Sequence, residues 1–259
     1  SVIGSPFYVM DRVRGVILRG EVPDGLELGP QAAQRVSEAA IDTLAEIHML
    51  DLASVHLQDL CKPEGYVERQ IGGWERRYQR AKTDDISAMD KVAAWLHANM
   101  PAESGACLVH NDFKYDNLVL DADGVLAGEA RIIAVLDWEM ATVGDPLMDL
   151  GVALAYWIQA DDPPALQAFR FGLTHLPGTL RRGDLVARYA AATGRELGDV
   201  TYYYVYALYK IAVVLQQLYT RHTMGLSSDP RHAGLIDGVR GFAHVARMAL
   251  TQGRIEGLG

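Results

Sequence analysis

The sequence predicts an α+β fold in which most of the chain is helical and a small β insert lies between two helical regions. Apolar residues recur at helical spacing before residue 100 and again after residue 145. Between these regions, residues 108–120 and 134–139 contain short apolar runs that end in polar residues, as expected for buried strands. With 259 residues, the chain can bury the core of one large domain or of two small ones.

The N-terminal part of the chain predicts two strands and then three helices. Residues 6–20 indicate two short strands joined by a turn. Three stripes of apolar residues follow at intervals of three and four, which is the spacing of one helix face. They predict helices over about 31–50, 67–78 and 89–96.

The second half of the chain predicts a turn between two strands and then helices. Residues 121–124 have turn composition and separate the two strands of the β insert. Asp145 can cap free N–H groups and Pro146 suits the first helical position, so a helix is predicted to start there. Further helices are predicted over about 163–173, 183–193, 199–222 and 231–250.

Charge and composition limit the classes of partner. Lysine and arginine total 24 against 33 aspartates and glutamates, which gives a formal net charge of −9. Such a chain is a poor general binder of nucleic acid, which needs clustered basic residues, and it suits a cationic ligand somewhat better. No apolar run is long enough for a spanning helix, and the first residues lack the pattern of a signal peptide. Cys61 and Cys107 indicate two reduced thiols in a cytoplasmic protein.

Three side chains carry the predicted chemistry, namely Asp112, Asn117 and Asp137. Each follows or precedes a short apolar strand, so we expect them to meet at the rim of the core. Asn117 and Asp137 supply the oxygen ligands that Mg²⁺ prefers. Asp112 can then orient a hydroxyl group and accept its proton. A base and a metal site together are the minimum that phosphoryl transfer requires of a protein.

The residues around these three leave several roles open. Lys114 either contacts a γ-phosphate or is a solvated loop lysine. Asp149 is expected to brace the catalytic loop rather than lie exposed near a helix N-terminus. Glu139 is either an acid behind the metal ligands or a surface residue.

Other conspicuous residues have structural interpretations. His110 is expected to be hydrogen-bonded within its loop, and His48 to be packed or capping. Trp138 and most of the tyrosines at 202–209 are expected in the core, and the arginines of the helix over 67–78 on a solvated face.

Three motifs together resemble the aminoglycoside phosphotransferase family, which has a protein-kinase-like fold. They are His110-Asn-Asp-Phe-Lys-Tyr-Asp-Asn117, Val135-Leu-Asp-Trp-Glu139 and Gly144-Asp-Pro-Leu-Met-Asp-Leu150. Residues 65–70 and 84–90 are most similar to the branch that includes the kinase-like domains of acyl-CoA dehydrogenase fusions.

The resemblance implies an enzyme that uses ATP and Mg²⁺ and phosphorylates a hydroxyl of a small molecule. Asp112 would be the catalytic base, and Asn117 and Asp137 would bind the metal. Met10 would stand near the adenine, with hydrogen bonds from the backbone of Asp11 and Val13.

The resemblance also implies a domain division. Residues 1–22 would form the end of the N-terminal lobe and the hinge, and residues 23–259 the helical C-terminal lobe. The rest of the N-terminal lobe is largely absent from this chain, so we expect residues 1–259 alone to bind ATP weakly and turn over poorly. Asn111 stands where these phosphotransferases usually have glycine.

Two alternatives to a small-molecule kinase remain at this stage. One is a non-catalytic nucleotide-binding protein or scaffold, a pseudokinase. The other is a metal-dependent hydrolase that uses His110, Asp112 and Asp137, although hydrolytic sites usually gather more His and carboxylate ligands. The sequence leaves open both the oligomeric state and the acceptor, which could be an antibiotic, a sugar, an amino alcohol or a hydroxyacyl thioester.

Overall fold

The computed structural model describes residues 4, 7, 9–57, 64–126 and 129–258 of the chain. The fold is α+β, as predicted. The helices are α1 Pro30–His48, α2 Tyr66–Ala81, α3 Ser87–Ala98, α4 Ala122–Leu126, α5 Pro146–Tyr156, α6 Pro164–Gln167, α7 Arg182–Thr193, α8 Thr201–Thr223 and α9 Leu235–Gln252. Short 3₁₀ helices span Tyr115–Asn117, Trp138–Met140 and Pro230–Gly234.

Two antiparallel pairs make up the β insert. Its strands are β1 Cys107–Val109, β2 Leu118–Leu120, β3 Ile132–Val135 and β4 Thr142–Gly144. β1 pairs with β4, with Cys107 opposite Gly144, and β2 pairs with β3, with Leu118 opposite Val135. This topology places the segment that follows β1 and the segment that follows β3 beside each other.

The two strands predicted within residues 6–20 do not form in the described part of this segment, residues 7 and 9–20. In the described part of this segment, Val16 alone makes a bridge, with N–H···O distances of 2.9 and 2.7 Å to Leu120 of β2. A two-stranded ribbon has little stability unless further strands or a helix cover it. The segment instead pairs with β2 through one residue, Val16.

Most predicted helices were confirmed, with two differences. The helix predicted over 163–173 ends at Gln167, because Phe169 and Phe171 turn inward and pack against Phe242 of α9. Of the turn predicted at 121–124, residues 122–124 belong instead to the short helix α4. The predicted start of α5 was right, since Asp145 accepts the N–H of Leu147 at 2.8 Å.

α8 is the central helix of the core and packs against α9, α5 and α2. Its tyrosines at 202, 203, 204, 206 and 209 are buried, as predicted. Gly151 of α5 permits the close approach to α8, since a Cβ there would lie 2.4 Å from the Tyr203 carbonyl oxygen. No helix in the described residues is long and apolar enough to cross a membrane.

A buried arginine connects the segment that follows α9 to the other helices. Arg182 is fully buried, and it pairs with Asp162 through both terminal guanidinium nitrogens, Nη1 and Nη2. It also donates to the carbonyl oxygens of Leu154, at 3.1 Å, and of Ile255, at 3.1 Å. A buried guanidinium is tolerable only when its donors are satisfied in this way.

Candidate active site

The loop between β1 and β2, residues 110–117, is the predicted catalytic loop and brings three of the predicted site residues together. The Asp112 carboxylate accepts hydrogen bonds from Lys114 Nζ at 2.6 Å and from Asn117 Nδ2 at 3.1 Å. Asn117 Nδ2 also donates to the Asp112 carbonyl oxygen at 2.9 Å. The turn over Tyr115–Asn117 makes this possible, because it folds Asn117 back toward Asp112.

Asp137 lies at the same end of the β2–β3 pair as Asn117. Leu118 is opposite Val135, and the N–H of Leu136 donates to the Asn117 carbonyl oxygen at 2.8 Å. Asp137 follows directly, with φ of 67°, and its side chain is exposed. Aspartate adopts this left-handed conformation more readily than most residues.

Asp149 braces the catalytic loop from α5, as expected. It is fully buried and accepts the N–H groups of His110 at 2.7 Å and Asn111 at 2.8 Å, while His48 Nε2 lies 3.1 Å away. Burial acts to raise the pKa of this carboxyl group, but the contacts with His48 and His110 outweigh it and hold the pKa below its ordinary value.

The two histidines near the loop are structural, as predicted. His48 is buried and its Nδ1 lies 2.7 Å from the Tyr189 hydroxyl. His110 Nδ1 accepts the N–H of Asp112 at 3.2 Å, so its Nε2 carries the proton that is donated to the Leu136 carbonyl oxygen at 2.8 Å. His110 therefore connects the catalytic loop to the strand that leads into Asp137.

Asn111 has a left-handed backbone conformation, with φ of 64°. This explains why glycine suits the position and why asparagine is accepted, since asparagine visits the left-handed region more easily than other side chains. The side chain also makes hydrogen bonds of its own. It accepts from the Tyr66 hydroxyl at 3.1 Å and donates to the Met140 carbonyl oxygen at 3.1 Å.

Sequence reasoning missed Lys210 of α8. Its Nζ donates to the Asn111 carbonyl oxygen at 2.5 Å, and the residue is almost completely buried. Burial lowers the pKa of Lys210 to about 8, although the charges of Asp149 and Asp112 act to raise it. The signal in the sequence was a single lysine within the apolar segment 202–215.

An aromatic wall stands next to the carboxylate of Asp112. Lys114 Nζ lies 4.9 Å from the centre of the Tyr156 ring, and Tyr156 meets Phe171 edge to face at 4.9 Å. Burial, together with the nearby Asp112 carboxylate, holds the pKa of the Tyr156 hydroxyl well above its ordinary value. The motif analysis did not identify Tyr156, which lies at the end of α5.

A cleft of about 340 Å³ lies between Met10 and residues 135–139. Asp11 and Val13, which follow Met10 in the sequence, are both exposed. The prediction that Trp138 belongs to the core was wrong, since 38% of it is exposed at the lip of this cleft. Its Nε1 donates to the Val135 carbonyl oxygen at 2.7 Å, so the strand end holds the ring in place without burying it.

The donor set fits a metal that arrives with a phosphorylated ligand. In the described ranges, no three His, Cys, Asp or Glu side chains are grouped as metal ligands. Asn117 and Asp137 offer one amide and one carboxylate at the same end of a β-hairpin. Mg²⁺ is commonly bound by one or two protein ligands together with waters and substrate phosphates, so this pair is chemically sufficient.

Comparison with known proteins settles the family. Residues 1–186 match the family model described as "Phosphotransferase enzyme family". The chain belongs to this family. It is the family of the aminoglycoside phosphotransferases, as the three motifs indicated.

Curated relatives of this phosphotransferase chain include much longer proteins. Mouse acyl-CoA dehydrogenase family member 11 is 37% identical over 237 residues, which cover 88% of this chain and 29% of the relative. Mouse acyl-CoA dehydrogenase family member 10 is 31% identical over 231 residues, which cover 88% of this chain and 21% of the relative. The chain thus spans less than a third of the length of these relatives.

Solved structures show that the fold is kinase-like. A Ralstonia eutropha protein assigned as an aminoglycoside phosphotransferase superimposes with a TM-score of 0.80 and 26% identity, over 94% of this chain and 72% of that one. Plasmodium vivax ethanolamine kinase superimposes with a TM-score of 0.59 and 11% identity, over 95% of this chain and 67% of that one. At such identity the second likeness concerns the fold alone.

Proposed function

We propose that the protein transfers the γ-phosphate of ATP to a hydroxyl group of a small molecule. One observation carries this proposal. The Asp112 carboxylate is held by Lys114 and Asn117 beside the hairpin end that bears Asp137. A positioned base next to a pair of metal ligands is what phosphoryl transfer requires of a protein.

In the proposed reaction, Asp112 accepts a hydrogen bond from the acceptor hydroxyl and takes its proton. The acceptor oxygen forms a bond to the γ-phosphorus while the bond from that phosphorus to the β–γ bridging oxygen breaks, and ADP leaves with the electron pair. Lys114 lies within 2.6 Å of the base and supplies a positive charge next to the transferring group. Such preorganised charges stabilise the transition state without reorganisation.

Asn117 and Asp137 would hold Mg²⁺, which supplies charge neutralisation at the phosphate oxygens. ATP would lie in the cleft lined by Met10 and residues 135–139, with its adenine near Met10 and hydrogen-bonded by the backbone of Asp11 and Val13. Residues 1–22 would then be the end of the N-terminal lobe and the hinge, and residues 23–259 the helical lobe. The proposed location of the protein is the cytoplasm.

The acceptor would approach Asp112 beside Tyr156 and Phe171. This wall offers aromatic faces, and Lys114 lies against one of them. The curated relatives bear acyl-CoA dehydrogenase names and the structural relatives include an ethanolamine kinase. We therefore propose that acceptor screening include hydroxyacyl thioesters, amino alcohols, sugars and aminoglycosides.

The test is ATP consumption by the full natural chain with this panel, together with the variant Asp112→Asn. General-base catalysis contributes about 10²- to 10⁴-fold, so we expect transfer to fall by that factor while ATP binding persists. The matched control is Asp121→Asn, which neutralises a carboxylate beyond the other end of β2, where it pairs with Arg131 at 2.8 Å.

Near-normal turnover by the Asp112→Asn variant would show that Asp112 is not the base. If the natural chain binds ATP but transfers phosphate to no acceptor, the non-catalytic nucleotide-binding alternative replaces the kinase. The Asp121→Asn control separates a specific loss from a general effect of removing a negative charge from this part of the β insert.

A further inference from the structure

The residue before the catalytic base is held from two sides by opposite charges. The N–H of Asn111 donates to the Asp149 carboxylate at 2.8 Å, and its carbonyl oxygen accepts from the Lys210 ammonium at 2.5 Å. The two charged groups come from different helices, α5 and α8. Hydrogen bonds to charged partners are stronger than those between neutral groups.

The contact of Lys210 falls on the peptide group that leads into Asp112. The carbonyl of this peptide belongs to Asn111 and accepts from Lys210, while its N–H belongs to Asp112 and donates to His110 Nδ1 at 3.2 Å. Both ends of one peptide plane are therefore fixed. Because the Cα of Asp112 is attached to this plane, its orientation sets the direction of the Asp112 side chain.

Filling the interior does not require a charged side chain at position 210. It is 3% exposed, and its ammonium lies 5.4 Å from the centre of the Trp74 ring. Asp149 and Asp112 face it with negative charge, whereas Lys114 and Arg77 oppose its charge. A buried ammonium is costly, and a methionine of similar length would fill the same space without that cost.

We infer that Lys210 is a positioning residue for phosphoryl transfer, which holds the peptide before Asp112 so that its carboxylate faces the acceptor hydroxyl. The inference rests on the proposed function. Lys210 acts through the backbone of Asn111, and its burial beneath the loop keeps it from the acceptor. Its contribution is therefore to the chemical step and not to binding.

The test compares Lys210→Met with Gln216→Met in the full natural chain. Gln216 is also a buried polar residue of α8, but it bonds the Ala81 carbonyl oxygen at 3.0 Å, away from the catalytic loop. We expect Lys210→Met to lower kcat by about tenfold to a hundredfold, the effect of one lost charged hydrogen bond in the transition state, with KM for ATP within about twofold of the wild type. Gln216→Met should lower the melting temperature and leave kcat unchanged.

A second measurement distinguishes a failure of this inference from a failure of the proposed function. Hydrogen exchange of residues 110–113 should be faster in Lys210→Met than in the wild type and unaffected in Gln216→Met, whether or not an acceptor is known. If the wild type were inactive but showed this exchange pattern, the kinase proposal would be rejected, while the role of Lys210 in holding the peptide before Asp112 would stand. Wild-type kcat in Lys210→Met would overturn the inference.

The variant Lys210→Gln guards against a failure to fold. It keeps a donor on a shorter, neutral side chain, and we expect a kcat between those of the wild type and Lys210→Met. If both variants lost their cooperative thermal transition, Lys210 would be a structural residue only, and the positioning role would be rejected.

Discussion

The two segments that form the candidate site are held very differently. The predicted catalytic loop is built into the core: His110 and Asn111 are 0% and 5% exposed, and residues of α1, α2, α5 and α8 form hydrogen bonds with it. The segment that carries Asp137 lies at the surface, with Trp138 and Met140 each 38% exposed. Buried contacts within the fold thus position the proposed base Asp112, whereas the segment that carries the proposed metal ligand Asp137 is open to solvent.

This difference predicts which property, stability or ligand affinity, a mutation in each segment should change. A change beneath the catalytic loop removes buried hydrogen bonds and should affect stability as well as turnover. A change at the surface segment should affect ligand affinity and leave stability nearly unchanged. The following substitutions test this division, beginning with the one for which we expect the largest effect.

Asp149→Asn should cause the largest loss. It leaves His48 and Lys210 without the buried negative charge that faces them, and removing one member of a buried charged group costs about 3 to 5 kcal/mol. We expect this loss in the free energy of unfolding measured with urea, together with a strong fall in kcat. A variant as stable as the wild type would contradict the view that the loop is built into the core.

The loss should depend on pH. The folded-state pKa of Asp149 lies below its ordinary value, so the stability from this shift is present above the unfolded-state pKa and is lost as the pH falls through the folded-state value. The difference in unfolding free energy between wild type and Asp149→Asn should therefore shrink below about pH 4. A difference that is constant from neutral to acidic pH would assign the effect to shape rather than charge.

Asp137→Asn should show the opposite pattern. We expect the affinity for Mg²⁺ and ATP, measured together by calorimetry, to fall by about tenfold to a hundredfold, since a charged metal ligand becomes neutral. The free energy of unfolding should change by less than about 0.5 kcal/mol, because the side chain is exposed and asparagine tolerates the left-handed backbone. Unchanged affinity would exclude Asp137 as a ligand.

Asn111→Gly should have the smallest effect. Glycine keeps the left-handed backbone but loses the bonds with Tyr66 and Met140, so we expect a loss of about 1 kcal/mol in unfolding free energy. Asn111→Ala loses the same bonds and adds a strain of about 1 to 2 kcal/mol. Equal stability of the two variants would show that the left-handed conformation is not required.

The sequence predicted the parts of the site that are local. Asp112, Lys114 and Asn117 lie within six residues, so one short loop brings them together, and Asp137 follows through a hairpin. Lys210 lies 99 residues from Asn111, and its partner is a backbone carbonyl group that any residue provides. Such a contact leaves no spacing pattern, so it could be found only in the folded chain.

The errors in the fold prediction have the same origin. Valine is common in strands, but whether a segment forms a strand depends on partners elsewhere in the chain. Here Val16 pairs only with Leu120. Tryptophan is often a core residue, yet Trp138 is partly exposed at the edge of the cleft, where its Nε1 donates to the Val135 carbonyl oxygen. Residue type predicts burial on average, whereas the position of a particular ring depends on its tertiary neighbours.

The guanidinium of Arg182 makes the last residues of the described chain an internal part of the molecule. Because its Nη1 donates to the Ile255 carbonyl oxygen at 3.1 Å, removal of residues 255–258 would leave a donor without its acceptor in the interior. Shortening the chain there should resemble a core mutation and not the loss of a loose tail. The same truncation would also remove Leu258, whose side chain is fully buried, and would leave the space that it fills empty.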